Sequence, residues 1–181
     1  MDKLITVVKV ISGIQNDFSQ FEGQGLLCKE EIQWMLEYGL KRVSHFLKLG
    51  SFQVETYDKH SLYKSNRFEV ALISWLPGQR STIHDHGESS CGFVVLDGDA
   101  TESFFQRSQG GFIYPAASRV LSVGSSSIIV DNSIHQVANL QLPNVHLSTF
   151  HVYSPPLCAM NMYDLNSRSE NLDPQLDLTA N

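Results

Sequence analysis

Residues 84–92 read His-Asp-His-Gly-Glu-Ser-Ser-Cys-Gly: two imidazoles two residues apart, then a thiol five residues beyond the second. In an extended strand residues i and i+2 share a face. The spacing therefore predicts that His84 and His86 point the same way and Asp85 the other. Two such rings chelate a divalent metal once a third ligand arrives from another strand, and imidazole suits iron, zinc, copper and nickel. The candidate third ligand is His135, at the head of the run HQVANL. A bare His-x-His also suits a hydrogen-bonded pair with no metal, so the surrounding pattern has to decide.

That pattern is Gly78, five residues, His84-x-His86, four residues, Cys91, six residues, Gly98, and later His135, three residues, Asn139. It resembles the two signature motifs of the cupin superfamily, small jelly-roll β-barrels that hold a metal in the barrel mouth. Many cupins carry a glutamate ligand where Cys91 stands. That carboxylate is missing here, and Glu88 lies too close to the histidines for the motif, so the chain resembles a three-histidine cupin. The run WLPGQRSTIHDHGESSCGFVVLDG, the segment HQVAN and the ending STFHVYSPPL together resemble the cysteine dioxygenase (thiol dioxygenase) family, from roughly Tyr57 to Leu157. The resemblance implies ferrous iron, Fe(2+), held by His84, His86 and His135. It implies O2 as co-substrate, with both oxygen atoms added to the sulfur of a small thiol, in the first place L-cysteine, giving cysteine sulfinic acid.

Thr149, His151 and Tyr153 alternate along one run and should share a strand face. By position in the family, Tyr153 reaches the substrate and oxygen site, His151 orients its hydroxyl and Thr149 holds His151. Cys91 matches the cysteine that in some members is joined to that tyrosine by a thioether bond. Upstream, Tyr57-Asp58-Lys59 stands where the family has Tyr-x-Arg on the substrate carboxylate. Lysine keeps the charge and loses the planar two-pronged fork. Lys59, helped by Tyr57, His60 or Arg80, is the expected anchor, and 3-mercaptopropionate is the alternative thiol acid. Arg67 reads as a structural strand-start residue. An oxygenase of a non-thiol substrate, a non-enzymatic cupin and a zinc hydrolase are the rivals. The last would want a general-base carboxylate, for which Glu88 is the local candidate.

The elements that must position these residues follow from patterning. The chain of 181 residues suffices for one domain, and 42% hydrophobic and 18% charged residues are ordinary for globular protein. A net charge of -6 provides no basic footprint for nucleic acid or an anionic membrane. No apolar run approaches the length of a membrane span and no signal-peptide pattern opens the chain. Three cysteines, odd in number and far apart, argue for a reducing, cytoplasmic setting. Cys28 and Cys158 are expected as buried free thiols and the protein as a monomer. Leu4, Val7, Val8 and Ile11 carry helical spacing, as do Ile32, Met35, Leu36, Leu40, Val43 and Leu47, with Gly50 as a stop. His45 lies on that second helix. From Ser51 the pattern turns to short strands: 68–75, 92–96, 102–106, 119–123, 127–130, 135–140 and 145–153. LDGD at 96–99 reads as a hairpin turn. His146 has the parity opposite to His151 and should face away from the metal. The expectation is a mainly β cupin jelly-roll barrel in a single domain, 1–181. Residues 1–50 form a helical cap, 51–160 the barrel and 166–181 a polar tail.

Overall fold

The computed structural model describes residues 13–14, 16–43 and 52–166. The helix expected around Leu4–Ile11, together with Leu47, Gly50, His45 and nearly all of the tail, lies outside the described residues. The second expected helix is α1 (Lys29–Arg42). Glu31 accepts the Cys28 backbone N–H at 2.8 Å, and acidic residues at its start and basic ones at its end match the helix dipole. Its buried residues, Ile32, Met35, Leu36 and Gly39, form the single apolar stripe that the spacing predicts.

Two antiparallel five-stranded sheets make the body. The first runs β1 (Asp58–Lys64), β2 (Glu69–Trp75), β9 (Leu147–Ser154), β4 (Ser90–Asp97) and β7 (Ser126–Ile129). The second runs β10 (Met162–Tyr163), β3 (Ile83–His84), β8 (Ile134–Ala138), β5 (Ala100–Arg107) and β6 (Ile113–Leu121). Helix α1 lies against the outer face of the first sheet. A Cβ on Gly39 would come 2.4 Å from the Phe150 ring, and one on Gly92 would come 2.5 Å from Ile32. Only hydrogen at these two positions lets helix and sheet approach so closely. Every residue of β2 and β9 is consequently buried.

Double burial splits β9 by parity. Phe150 and Val152 join the core beneath α1, while Leu147, Thr149, His151 and Tyr153 face the barrel interior. Arg67 is structural, as expected. Its guanidinium holds the carbonyls of Phe21, Gly25 and Leu26 and pairs with Glu31. Buried Ser154 accepts the Leu27 N–H and donates to the Arg67 carbonyl, tying the N-terminal segment to the barrel. No helix among the described residues is long and apolar enough to cross a membrane.

Four expectations are corrected. LDGD is not a hairpin turn, because β4 and β5 belong to different sheets and the turn carries the chain between them. Gly98 has φ +74°, and a Cβ there would meet the His146 carbonyl oxygen at 2.3 Å. The strand expected at 119–123 begins instead at Ile113. Pro115 masks it in sequence, yet sits on an edge strand next to a register shift, where a missing N–H is tolerated. His86 lies just past the two-residue β3 rather than on it. Cys28 and Cys158 are exposed, the first at the α1 N-cap and the second in the loop after β9.

Candidate active site

His84 and His135 are direct partners across β3 and β8, so the ladder joins two stretches far apart along the chain. His86 joins them through a tight turn: Gly87 N–H donates to Asp85 Oδ1, Ser89 N–H to the His86 carbonyl, and Gly87 adopts φ +58°. Asp85 does point away from the two rings, but it is buried. It accepts from Asn161 and Tyr163, so the C-terminal strap β10 clamps the His-Asp-His segment from behind. The three imidazoles are buried, and their ligand atoms all lie within 4.8 Å of one another.

The ring orientations have identifiable causes. His84 Nδ1–H donates to the Thr82 carbonyl at 2.9 Å and His135 Nδ1–H to Glu102 Oε1 at 3.0 Å. Both acceptors lack a proton to give, so each ring keeps its Nε2 lone pair for a ligand. His135 Nε2 stands 3.4 Å from His86 Nε2, and His86 Nδ1 is buried without a hydrogen-bond partner. Burial, followed by the neighbouring rings, pushes His84 down to about 4 and His86 to about 2. His84 and His86 are therefore neutral at ordinary pH, the state in which nitrogen binds a metal. Three buried imidazoles whose ligand atoms converge, two of them held neutral by burial, fit a divalent transition-metal ion.

Glu102 was not singled out from sequence. Its carboxylate is fully buried and takes donors from His135, Ser127 and twice from Arg119. Burial alone would raise this carboxyl, but the bonds from His135 and Arg119 hold it below its usual value. An ionised carboxylate behind a ligand histidine fixes its tautomer and raises its basicity. The sequence signal was a charged residue sharing strand parity with Ala100 and Phe104.

The opposite sheet supplies a hydrogen-bonded chain. Trp75 Nε1–H donates to Thr149 Oγ1 at 3.0 Å, Thr149 Oγ1 is 2.9 Å from His151 Nε2, and His151 Nδ1 is 3.1 Å from the Tyr153 hydroxyl. Burial, then Lys59, holds His151 well below its usual pKa, and burial, then Cys91, holds Tyr153 well above its own. His151 therefore carries one proton, shared between two arrangements. With that proton on Nε2, Tyr153 donates to Nδ1. With it on Nδ1, Thr149 donates to Nε2, Nδ1–H donates to the tyrosine oxygen, and the tyrosine O–H is free for the cavity. Trp75 was missed in sequence because it reads simply as a core aromatic.

Tyr153 faces His86, with ring centroids 6.1 Å apart. Both open on a cavity of about 360 Å³, also lined by Tyr57, Lys59, Glu69 and Cys91. Cys91 and Tyr153 are register partners across β4 and β9, and burial, then Glu102, pushes the thiol up. Lys59 Nζ sits 4.9 Å from the Tyr153 ring centroid and 3.2 Å from Glu69 Oε1. Two anchors expected from sequence do not reach the cavity. His60 pairs with Leu72 on the opposite face of β1 from Lys59, and Arg80 is an exposed bridge residue beside Ala138. Glu88, the carboxylate that the sequence offered to a zinc hydrolase, is exposed and does not line the cavity. His146 faces away as expected, its ring against Phe52.

A family model described as cysteine dioxygenase type I matches residues 7–166. Cysteine dioxygenase type 1 of Danio rerio is 27% identical over 148 residues, covering 78% of this chain and 73% of its own length. The Homo sapiens protein of that name is 25% identical over 146 residues, covering 78% and 72%. Among solved structures, a Klebsiella pneumoniae protein with a double-stranded β-helix domain aligns with TM-score 0.50 and 15% identity, over 65% of this chain and 92% of its own. A Thermus thermophilus protein aligns with TM-score 0.52 and 20% identity, over 61% and 94%. These likenesses speak to fold alone and agree with the expected cupin barrel.

Proposed function

The chain belongs to the cysteine dioxygenase type I family, and on that premise we propose that it converts L-cysteine and O2 to cysteine sulfinic acid in the cytoplasm. It is an oxygenase, and its family and buried histidine triad make it a thiol dioxygenase. The observation that carries the reading is the meeting of two devices in one cavity: three convergent, buried imidazoles on one side and a tyrosine with a hydrogen-bonded supply chain on the other.

His84, His86 and His135 would hold ferrous iron, with Glu102 and the Thr82 carbonyl keeping two of the rings turned toward it. When bound there, the chemistry that iron supplies is acceptance of a thiolate and dioxygen side by side. In balance, a thiol and O2 become a sulfinic acid: sulfur gives up four electrons, O2 takes them, and both oxygen atoms end on sulfur. No external reductant enters. Tyr153 holds a proton at its hydroxyl, where developing oxygen charge needs a donor. His151 and Thr149 set whether that proton points into the cavity, and Trp75 holds Thr149. Lys59 lies on the cavity side of β1 and would hold the substrate's acid group, with the Tyr57 hydroxyl beside it. A thioether between Cys91 and Tyr153 would lock the tyrosine ring in place.

The test is oxygen uptake by the iron-loaded protein with L-cysteine, 3-mercaptopropionate, cysteamine and no thiol, with the product followed by mass. Thiol-dependent uptake with one sulfinate per O2 is expected. No uptake with any thiol, despite one iron per chain, would sink the thiol reading and point to a non-thiol substrate.

A further inference from the structure

β7 is the last strand of the first sheet and β6 the last strand of the second, and among the described residues no ladder joins them. Arg119 of β6 reaches across this seam. Its Nη2 donates to Ser127 Oγ on β7 at 2.8 Å. The same guanidinium donates from Nε and Nη2 to Glu102 Oε2 on β5, at 2.9 and 2.7 Å, and Ser127 donates to Glu102 Oε1 at 3.0 Å. Side chains from three strands thus close a ring of hydrogen bonds. In sequence Arg119 reads as a solvated strand residue, and residues 114–120 around it are exposed. Register makes it the cross-strand partner of Glu102. Its own side chain is 47% exposed, whereas that of Glu102 is 0% exposed.

The ring leads inward to the histidine triad. The terminal torsion of a glutamate is soft, so a buried carboxylate points where its donors hold it. Arg119 occupies Oε2 with two N–H groups, which leaves Oε1 turned to His135 Nδ1 at 3.0 Å. The guanidinium also lies over the Phe104 ring, 5.3 Å from its centroid. Phe104 is in turn the cross-strand partner of His135, with ring centroids 6.3 Å apart. Arg119 therefore reaches His135 by a hydrogen-bonded route and by a packed one. Neutralising a buried acid needs only a charge, and filling a seam needs only bulk. Several directional bonds from one planar group do more, because they fix the angle of the group they hold.

Resting on the metal site within the reading above, and not on its substrate, we propose that Arg119 is a positioning residue. From the seam between the sheets it fixes the rotation of Glu102, and through Glu102 the ring of His135. A half-exposed arginine outside the cavity thereby sets how firmly the triad holds its metal. The sign of the effect separates this role from plain electrostatics. Loss of a nearby positive charge would by itself tighten the binding of a metal cation. Loss of a positioning group loosens it.

The experiment loads the full chain with cobalt(II), whose visible absorption reports ligand geometry, and measures affinity by competition with a chelator. Wild type, Glu102→Gln, Arg119→Met and the double variant are compared, with the urea midpoint of each alongside. Arg119→Met should bind cobalt(II) about 10–100-fold more weakly, with an altered absorption spectrum. The double variant should bind no more weakly than the weaker single variant, because both act on His135 by one route. Arg119→Lys, should Arg119→Met fail to fold, keeps the charge and loses the planar group, and should also weaken binding, by less. Unchanged or tighter binding in Arg119→Met, or in Arg119→Lys where only that variant folds, overturns the proposal even if the urea midpoint falls, since a residue that only fills the seam would do that much. Losses that add in the double variant overturn it too. A wild type that binds neither cobalt(II) nor iron overturns the metal site and this role with it. Absence of thiol-driven oxygen uptake in a metal-binding wild type sinks only the thiol dioxygenase reading, and the affinities still decide the role of Arg119.

Discussion

Cys91 and Tyr153 stand directly opposite one another across the β4–β9 ladder, both buried and packed with Ala71 and Leu157. Cross-strand partners have Cβ atoms about 4.5–5.5 Å apart, close enough for sulfur to meet the tyrosine ring edge. Joining Sγ to a ring carbon removes two hydrogen atoms, whose electrons O2 can take. Protein held with iron and thiol in air should lose the mass of two hydrogens, and a single peptide should contain both residues after proteolysis. Cys91→Ser should show neither change. An unaltered intact mass after prolonged aerobic turnover would rule the bond out.

Glu102 should govern how tightly the metal is held rather than whether the barrel forms. Glu102→Gln preserves the shape but removes the charge facing His135 and Arg119. Metal affinity, read by competition with a chelator, should fall about 10–100-fold. Affinity equal to the wild type would show that the carboxylate acts only in packing.

Tyr153→Phe should lower kcat by about a hundredfold, the range of a positioned proton donor, with thiol binding under nitrogen little changed. Trp75→Phe removes the N–H that holds Thr149, along with part of a buried ring packed on Tyr57. Its effect on kcat should be smaller, below about tenfold, because one hydrogen bond of the chain is lost and the donor itself remains. Equal losses from both variants would mean that the tyrosine does not act as the donor.

Acid should unfold the metal-free protein early. An unfolded imidazole titrates at 6.5, whereas folded His84 titrates at about 4 and His86 at about 2. Below 6.5 the unfolded chain takes up protons that the folded chain refuses, so stability falls as pH falls. The loss begins near 6.5, steepens toward 4 and continues toward 2. The urea midpoint of chelated protein should therefore drop between about pH 7 and about pH 5. Replacing His84 and His86 with glutamine should flatten the slope. A midpoint insensitive to pH over that interval would contradict neutral burial of the rings.

Most β strands could be seen in advance because apolar runs between turn residues reveal them, and the iron-ligand candidates because their spacing is local. Misreadings had definite causes. Pro115 hid most of β6 because a sequence does not say which strand is an edge. LDGD looked like a hairpin because turn chemistry is the same whether the next strand returns to its own sheet or crosses to the other. His60 looked like an anchor because it adjoins Lys59 in sequence, yet adjacent strand residues face opposite ways.

What the sequence determined by itself was chemical identity and local order: three histidines of metal-binding type, the Thr149, His151, Tyr153 alternation, and a cysteine matched to a tyrosine. The His84–His86 pair and the alternation follow from residue type and the two-residue period of a strand, and the pairing of Cys91 with Tyr153 from the resemblance to the family. Only the tertiary structure decided that the histidines come from one sheet and the tyrosine chain from the other, facing across a shared interior. Only it revealed Glu102 behind His135, and Glu69 already holding Lys59. Those pairings depend on which strands are neighbours and in what register. Residues 33 positions apart carry no local mark of contact until the ladder brings them to 3.0 Å.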